Sequence, residues 1–139
     1  QPEFVTYQRA VIDNAKLLAS ELQHGGLRIV SGGTDTHLLL VDLSATGITG
    51  KQAEDLLDSV YITVNKNAIP FDTRPPHVAG GIRLGTAAVT TRGFGPAEIR
   101  RTAMLILKTL SNLDDEKVHN EVREEVAELT SRFPVPGLD

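Results

Sequence analysis

Arg83 is the residue whose type and surroundings most strongly suggest chemistry. It lies in an apolar, strand-like segment, Gly80 to Thr86 (GGIRLGT). Side chains alternate across a strand, so Arg83 shares its face with Gly81 and Gly85 and is predicted to stand in a shallow hollow. A guanidinium in such a place suits a carboxylate or a phosphate, and the alternative is an ion pair with an acid of the same chain.

Two further groups could contact a ligand. The run Asn65-Lys66-Asn67 places two amides and an ammonium in a predicted loop, Asn65 to Pro76, where they could bind the edge of a polar heterocycle. Alternatively, the asparagines only serve turn geometry. No neighbour marks Lys66 as desolvated, so we do not assign it a Schiff base. Arg92 is a candidate second anion contact, with a structural pairing as the alternative.

Composition excludes several classes of function. The chain has 139 residues, a net charge of −4, 4% aromatic residues and no Trp, which argues against a nucleic-acid partner. It has no cysteine and no apolar run long enough to span a membrane. Its four histidines show neither an i, i+4 pair nor a carboxylate at ligand spacing, so no metal site is predicted.

Hydrophobic periodicity predicts the elements that position these residues. Apolar residues recur at helical spacing from Phe4 to Gln23, in a helix opened by a capping box at Thr49, and in two helices between Gly95 and Phe133. Strands are predicted at Leu27 to Ser31, His37 to Leu43, Tyr61 to Val64 and around Arg83, and the segment Val89 to Gly93 follows.

The order of elements is helix, two strands, helix, two short strands and two helices. This order predicts an α+β fold, a two-layer domain with a small sheet covered by helices. We expect one domain over 1–139, with a leading helix in 1–24, strands and one helix with the substrate-binding segment in 27–93, and C-terminal helices in 95–133.

Four runs in one order resemble a single family, the serine hydroxymethyltransferases. They are Ser31 to Leu43 (SGGTDTHLLLVDL), Thr49 to Lys51 (TGK), Ile62 to Phe71 (ITVNKNAIPF) and Gly81 to Gly93 (GIRLGTAAVTTRG). The resemblance covers essentially the whole chain, but within the family it corresponds only to the C-terminal small domain. The members of that family are fold-type I pyridoxal-phosphate enzymes. We therefore expect the large domain, with its Schiff-base lysine, to precede Gln1.

The resemblance implies roles for two residues. Arg83 would bind the α-carboxylate of serine or glycine, and Asn67 would hydrogen-bond the pterin ring of tetrahydrofolate. The family converts serine and tetrahydrofolate to glycine and 5,10-methylenetetrahydrofolate, with pyridoxal 5'-phosphate as the electron sink. The resemblance further implies a cytoplasmic enzyme that is a homodimer or larger. This chain would hold no catalytic residue and be inactive alone.

Three departures from the family pattern accompany the match. Ala79-Gly80 stands where Ser or Thr with Ser is frequent, Thr36 where Asn is frequent, and Ala87 or Ala88 where Pro is usual. None of these positions is Arg83 or Asn67. The alternative function is a free-standing amino-acid-binding or regulatory α+β module.

Overall fold

A four-stranded sheet and a layer of helices make up the computed structural model, which describes residues 2–30 and 37–135. The elements in chain order are α1 (Pro2–His24), β1 (Arg28–Ile29), β2 (Leu38–Asp42), α2 (Gly50–Ser59), β3 (Asn65–Asn67), β4 (Gly81–Gly85), α3 (Ala87–Thr91), α4 (Pro96–Leu110) and α5 (Glu116–Arg132). A 3₁₀ turn, Ser44–Thr46, follows β2. Ser31, the last residue of the first predicted strand, and the departure at Thr36 lie outside the described residues.

The sheet has the strand order β1-β2-β4-β3, and every neighbouring pair is antiparallel. One face is apolar and packs on the helices α1 and α2, with α4 behind them. Its buried side chains are Ile29, Leu39, Val41, Ile82 and Leu84. The predicted α+β two-layer arrangement is therefore confirmed.

Local sequence signals explain where the helices begin and which faces they bury. Thr49 and Gln52 form the predicted capping box at the start of α2, with the Thr49 hydroxyl accepting from the Gln52 N–H at 3.1 Å. In α1 the apolar residues at helical spacing are buried from Val11 onward. Two earlier ones, Phe4 and Tyr7, are not buried, since Phe4 is 59% and Tyr7 37% exposed. The first turns of α1 thus leave apolar surface uncovered within the described residues.

Buried hydrogen bonds fix α1 against the end of β4. The Asn14 side-chain amide donates to the Thr90 hydroxyl at 2.9 Å and to the Phe94 carbonyl at 3.1 Å. The Thr86 hydroxyl, directly after β4, donates to the Val11 carbonyl at 2.7 Å. Because unpaired buried polar groups are costly, these bonds specify one seating of the helix on the sheet.

The third strand does not lie at Tyr61 to Val64, as predicted, but directly after it, at Asn65–Asn67. Tyr61 has a φ of 70°, and the Ile62 N–H donates to the Leu57 carbonyl at 2.9 Å. This geometry ends α2, so the β-favouring residues 61–64 are used to turn the chain toward the sheet. The polar run that follows pairs with β4 instead of forming the predicted loop.

The short helix α3 was not predicted and occupies Ala87–Thr91. Two threonine hydroxyls donate to carbonyls four residues back, from Thr90 to Thr86 at 2.7 Å and from Thr91 to Ala87 at 2.9 Å. These bonds satisfy the side chains inside a helical turn, although threonine has a modest helix propensity.

The outer edge of β3 is held by α2. The Glu54 carboxylate accepts a hydrogen bond from the Lys66 backbone N–H at 2.8 Å and lies 3.8 Å from the Lys66 ammonium. Since backbone groups alternate in direction along an antiparallel strand, Lys66 points its N–H outward while Asn65 and Asn67 face β4.

None of the helices in the two described ranges combines the length and apolarity that a bilayer crossing requires.

Candidate functional site

Arg83 lies in the middle of β4, on the sheet face that points away from the helices. Its neighbours along the strand, Ile82 and Leu84, are 0% and 5% exposed on the opposite face. Arg83 itself is exposed, and its guanidinium has no hydrogen bond or salt bridge to any residue of 2–30 or 37–135. The guanidinium is therefore available to an anionic ligand.

Asp42, the acidic residue of β2 on this face, already has its own hydrogen-bond partners. It lies on β2 opposite Gly81, two pairs along from the Leu40–Arg83 pair. Its carboxylate accepts from the Ser44 N–H and hydroxyl at 2.8 and 2.6 Å and pairs with Arg28 at 2.8 Å. Burial acts to raise the pKa of Asp42, but the bonds from Ser44 and the charge of Arg28 hold that pKa below its usual value. The internal ion pair considered for Arg83 is thus not formed with this acid.

The glycines beside Arg83 do not leave the open hollow that the sequence predicts. A Cβ added at Gly85 would lie 3.0 Å from Leu38 Cδ2, and one at Gly81 would lie 2.7 Å from Ile69 Cγ2. The space above each glycine is therefore occupied by an apolar side chain from another segment. Arg83 therefore lies between Leu38 and Ile69. A larger residue at Gly81 would also collide with the Val41 carbonyl oxygen, whereas one at Gly85 would require the Leu38 side chain to shift.

The two asparagines of β3 share the uncovered face with Arg83. Asn65 pairs directly with Arg83, and Asn67 pairs with Gly81, so Asn67 lies diagonally across from the arginine at about 7–8 Å. The Asn67 amide donates one hydrogen bond to the Ala68 carbonyl at 2.8 Å. Its carbonyl oxygen and second N–H can bind a ligand. Because both asparagines lie in a strand, turn geometry does not account for them.

The lysines of the described ranges do not suit a Schiff base with a carbonyl cofactor. Lys66 is on the helix-facing side of β3, beside Glu54 at 3.8 Å. Lys51 pairs with Asp55 at 3.2 Å, and Lys108 with Glu121 at 3.1 Å. A Schiff-base lysine is activated by desolvation or by a neighbouring cation, and a carboxylate neighbour has the opposite effect. None of these three lysines therefore suits a Schiff base with pyridoxal phosphate.

Arg92 is engaged at the end of α5. Its Nη1 donates to the Phe133 carbonyl at 2.7 Å and to the Thr130 carbonyl at 3.4 Å. These carbonyls belong to the last turn of the helix, where a cation is favourable. The structure thus contains the structural pairing, and an anion contact by Arg92 stays a prediction.

In residues 2–30 and 37–135, no group of three or more His, Cys, Asp or Glu residues could hold a metal ion.

Asp72 was not identified from the sequence, although it holds the loop between β3 and β4. Its carboxylate accepts from the N–H groups of Arg74 at 2.9 Å, Gly80 at 2.8 Å and Ile69 at 3.2 Å. The bond from Arg74 is the largest influence and, with those from Gly80 and Ile69, holds the pKa of Asp72 below its usual value against desolvation. The available signal was an Asp in a proline-rich stretch, which is typical of an Asx-turn.

Comparison with known proteins identifies the family of this chain. The family model described as serine hydroxymethyltransferase matches residues 1–106. A curated serine hydroxymethyltransferase from Erythrobacter litoralis (strain HTCC2594) is 54% identical over 141 residues. The match covers 97% of this chain but 32% of that relative, so the chain spans about a third of the relative's length. The chain belongs to the serine hydroxymethyltransferase family.

Proposed function

We propose that this chain is the C-terminal small domain of a longer, pyridoxal-phosphate-dependent serine hydroxymethyltransferase. The chain spans 32% of the length of its curated relative. In our proposal the reaction is therefore carried out by the longer protein that contains this domain. In it, the domain supplies contacts to serine or glycine and to tetrahydrofolate. By itself it is inactive, because its described lysines are paired with carboxylates or exposed. From the family resemblance we also propose a cytoplasmic homodimer or larger assembly.

The observation that carries the proposal is the unpaired Arg83 on the uncovered sheet face. An exposed arginine in mid-strand contributes little to folding, and Asp42, the acid of β2 on the same face, is bonded to Ser44 and Arg28. A planar guanidinium binds a carboxylate through two parallel hydrogen bonds, which fixes the orientation as well as the position of the bound group. Arg83 would hold the α-carboxylate of the amino-acid substrate in this way.

The neighbouring strand offers the second contact. Asn67 can donate to and accept from a heterocycle edge, and it is one diagonal step from Arg83 on the same face. We assign Asn67 to the pterin ring of the folate and Arg83 to the amino acid. The pairing of β3 with β4 would then contribute to the distance between the two substrates, and such positioning accounts for much of catalysis between bound reactants.

Pyridoxal phosphate supplies the electron sink for this chemistry when it is bound. Its lysine would come from outside the residues described here, so the domain's own contribution is to bind and orient. Leu38 and Ile69 border Arg83 and would exclude water from the bound carboxylate. A drier surrounding strengthens the ion pair between guanidinium and carboxylate.

Substitution of Arg83 in the longer protein tests the proposal. Arg83→Ala and Arg83→Lys should each lower kcat/KM for serine by roughly 100-fold or more, because charge-assisted hydrogen bonds are lost and lysine cannot restore the fork. The matched control is Arg100→Lys on α4, where the arginine lies 3.5 Å from Glu21 at the protein surface. Near-wild-type kinetics in either Arg83 variant would overturn the assignment.

A further inference from the structure

We propose that Asp72 is a positioning residue that keeps Asn67 and Arg83 at a fixed separation. The inference rests on the proposed function, since it concerns how the two assigned substrate contacts are held. Asp72 lies in the loop 68–80, which joins the strand carrying Asn67 to the strand carrying Arg83. A connection this long has many conformations available unless an internal contact selects one.

The Asp72 carboxylate bonds to both ends of this loop. One oxygen, Oδ2, accepts from the Ile69 N–H at 3.2 Å and from the Gly80 N–H at 2.8 Å. Ile69 lies two residues after Asn67, and Gly80 lies three residues before Arg83. A single oxygen atom therefore joins the segment that leaves β3 to the segment that enters β4. The other oxygen, Oδ1, accepts from the Arg74 N–H at 2.9 Å and closes a local turn.

Close packing reinforces the same junction. A Cβ at Gly80 would lie 2.8 Å from Asp72 Oδ1 and 3.0 Å from Ile69 Cδ1. Glycine at position 80 therefore lets the loop fold directly onto the start of β4. The sheet adds little redundancy here, because β3 pairs with β4 over only three residues, Asn65 to Asn67. The loop junction therefore acts together with this short strand pairing to fix where Asn67 stands relative to Arg83.

The junction requires a carboxylate. Three N–H groups converge on two oxygens, and an ionised carboxylate accepts at both. An asparagine has one acceptor oxygen. Its NH2 group would therefore place a donor against at least one of these backbone N–H donors. Asp72→Asn should therefore keep the side-chain shape but release at least one of the bonded segments. A serine at this position could still accept from Arg74 but is too short to reach Gly80.

Folate binding in the longer holoprotein tests the inference. Titration with tetrahydrofolate in the presence of glycine is compared for wild type, Asp72→Asn, Asn67→Ala and the double variant. We expect Asp72→Asn alone to weaken folate binding roughly tenfold. In the Asn67→Ala background the same substitution should weaken folate binding further by at most about twofold, since the effects of two residues that act through one contact are non-additive. Asp72→Ser, which keeps the local turn but cannot reach Gly80, is the second variant, and it should weaken folate binding at least as much as Asp72→Asn. The control is Asp58→Asn, an exposed residue in the last turn of α2.

The outcomes separate this inference from the proposed function. If Asn67→Ala weakens folate binding while both Asp72 variants bind folate normally, the positioning role is wrong and the proposed function stands. If Asn67→Ala itself has no effect, the folate assignment fails. Fully additive losses in the double variant would assign Asp72 to general stability and overturn the positioning role, and unfolding curves recorded on the same samples measure that stability.

Discussion

Two charged residues on one sheet face have opposite environments at the scale of single residues. Asp42 accepts three hydrogen bonds and is buried, whereas Arg83 is exposed and has no such partner among the described residues. Strand alternation was sufficient to predict the face of Arg83. It could not predict that Leu38 and Ile69 fill the space beside it, because those contacts join segments distant in sequence.

Asn67→Ala should weaken the use of folate more than the binding of serine. Asn67 is assigned to the pterin ring, and loss of one or two hydrogen bonds should raise KM for tetrahydrofolate roughly tenfold with KM for serine nearly unchanged. Steady-state kinetics of the longer protein, with each substrate varied in turn, measure both values. Asn120→Ala on α5 serves as the control, and equal losses for the two substrates would contradict the pterin assignment.

At the scale of elements, tertiary contacts decided the places where sequence patterns failed. The helices were predictable because their apolar spacing and the capping box at Thr49 are local signals. The third strand was misplaced because Tyr61 to Val64 has strand-like composition, while pairing with β4 selected the polar run after it. The loop anchor at Asp72 was missed for a similar reason, since its bond to Gly80 spans eight residues.

The ion pair between Asp42 on β2 and Arg28 on β1 should make the stability of the fold depend on pH. The folded pKa of Asp42 is lowered from 3.8, so its contribution is fully present above that value and is lost as pH falls through the lower folded pKa. Asp42→Asn should destabilise the chain by about 2 kcal/mol at neutral pH. It should also flatten the fall in stability that the wild type shows as the pH drops below the usual aspartate pKa of 3.8.

Urea unfolding of the chain at several pH values measures this effect. Asp58→Asn is the control, because Asp58 is exposed on α2 and the substitution removes one carboxylate without a buried partner. An Asp42→Asn variant whose stability follows the wild-type pH curve in parallel would show that the carboxylate does not contribute through its ionised form.

For the whole molecule, the asymmetry of the two sheet faces is the main feature. One face forms the core with the helices, and the other carries Arg83, Asn65 and Asn67. Family membership and fold class were predictable because four sequence runs are spread along the chain and the helices have regular periodicity. Which residues of neighbouring strands share a face depends on the register of the sheet, and that register was not predicted.

The isolated chain should bind neither substrate tightly. Arg83 and Asn67 provide only part of the proposed pocket, so calorimetric titration with glycine or tetrahydrofolate should show no affinity better than about millimolar. No conversion of serine should be detectable under conditions where the longer protein is active. Micromolar binding of glycine by the isolated chain would instead support the free-standing amino-acid-binding module.

The contact between Glu54 and Lys66 has a consequence for solubility during synthesis. A sheet edge with free N–H groups can recruit a strand from another molecule and begin aggregation. In β3 the one outward N–H is bonded to a carboxylate from α2 at 2.8 Å, and the same carboxylate brings a negative charge to the edge. A newly made copy of this domain is thereby protected, along that side, against intermolecular strand addition before any partner covers its open face.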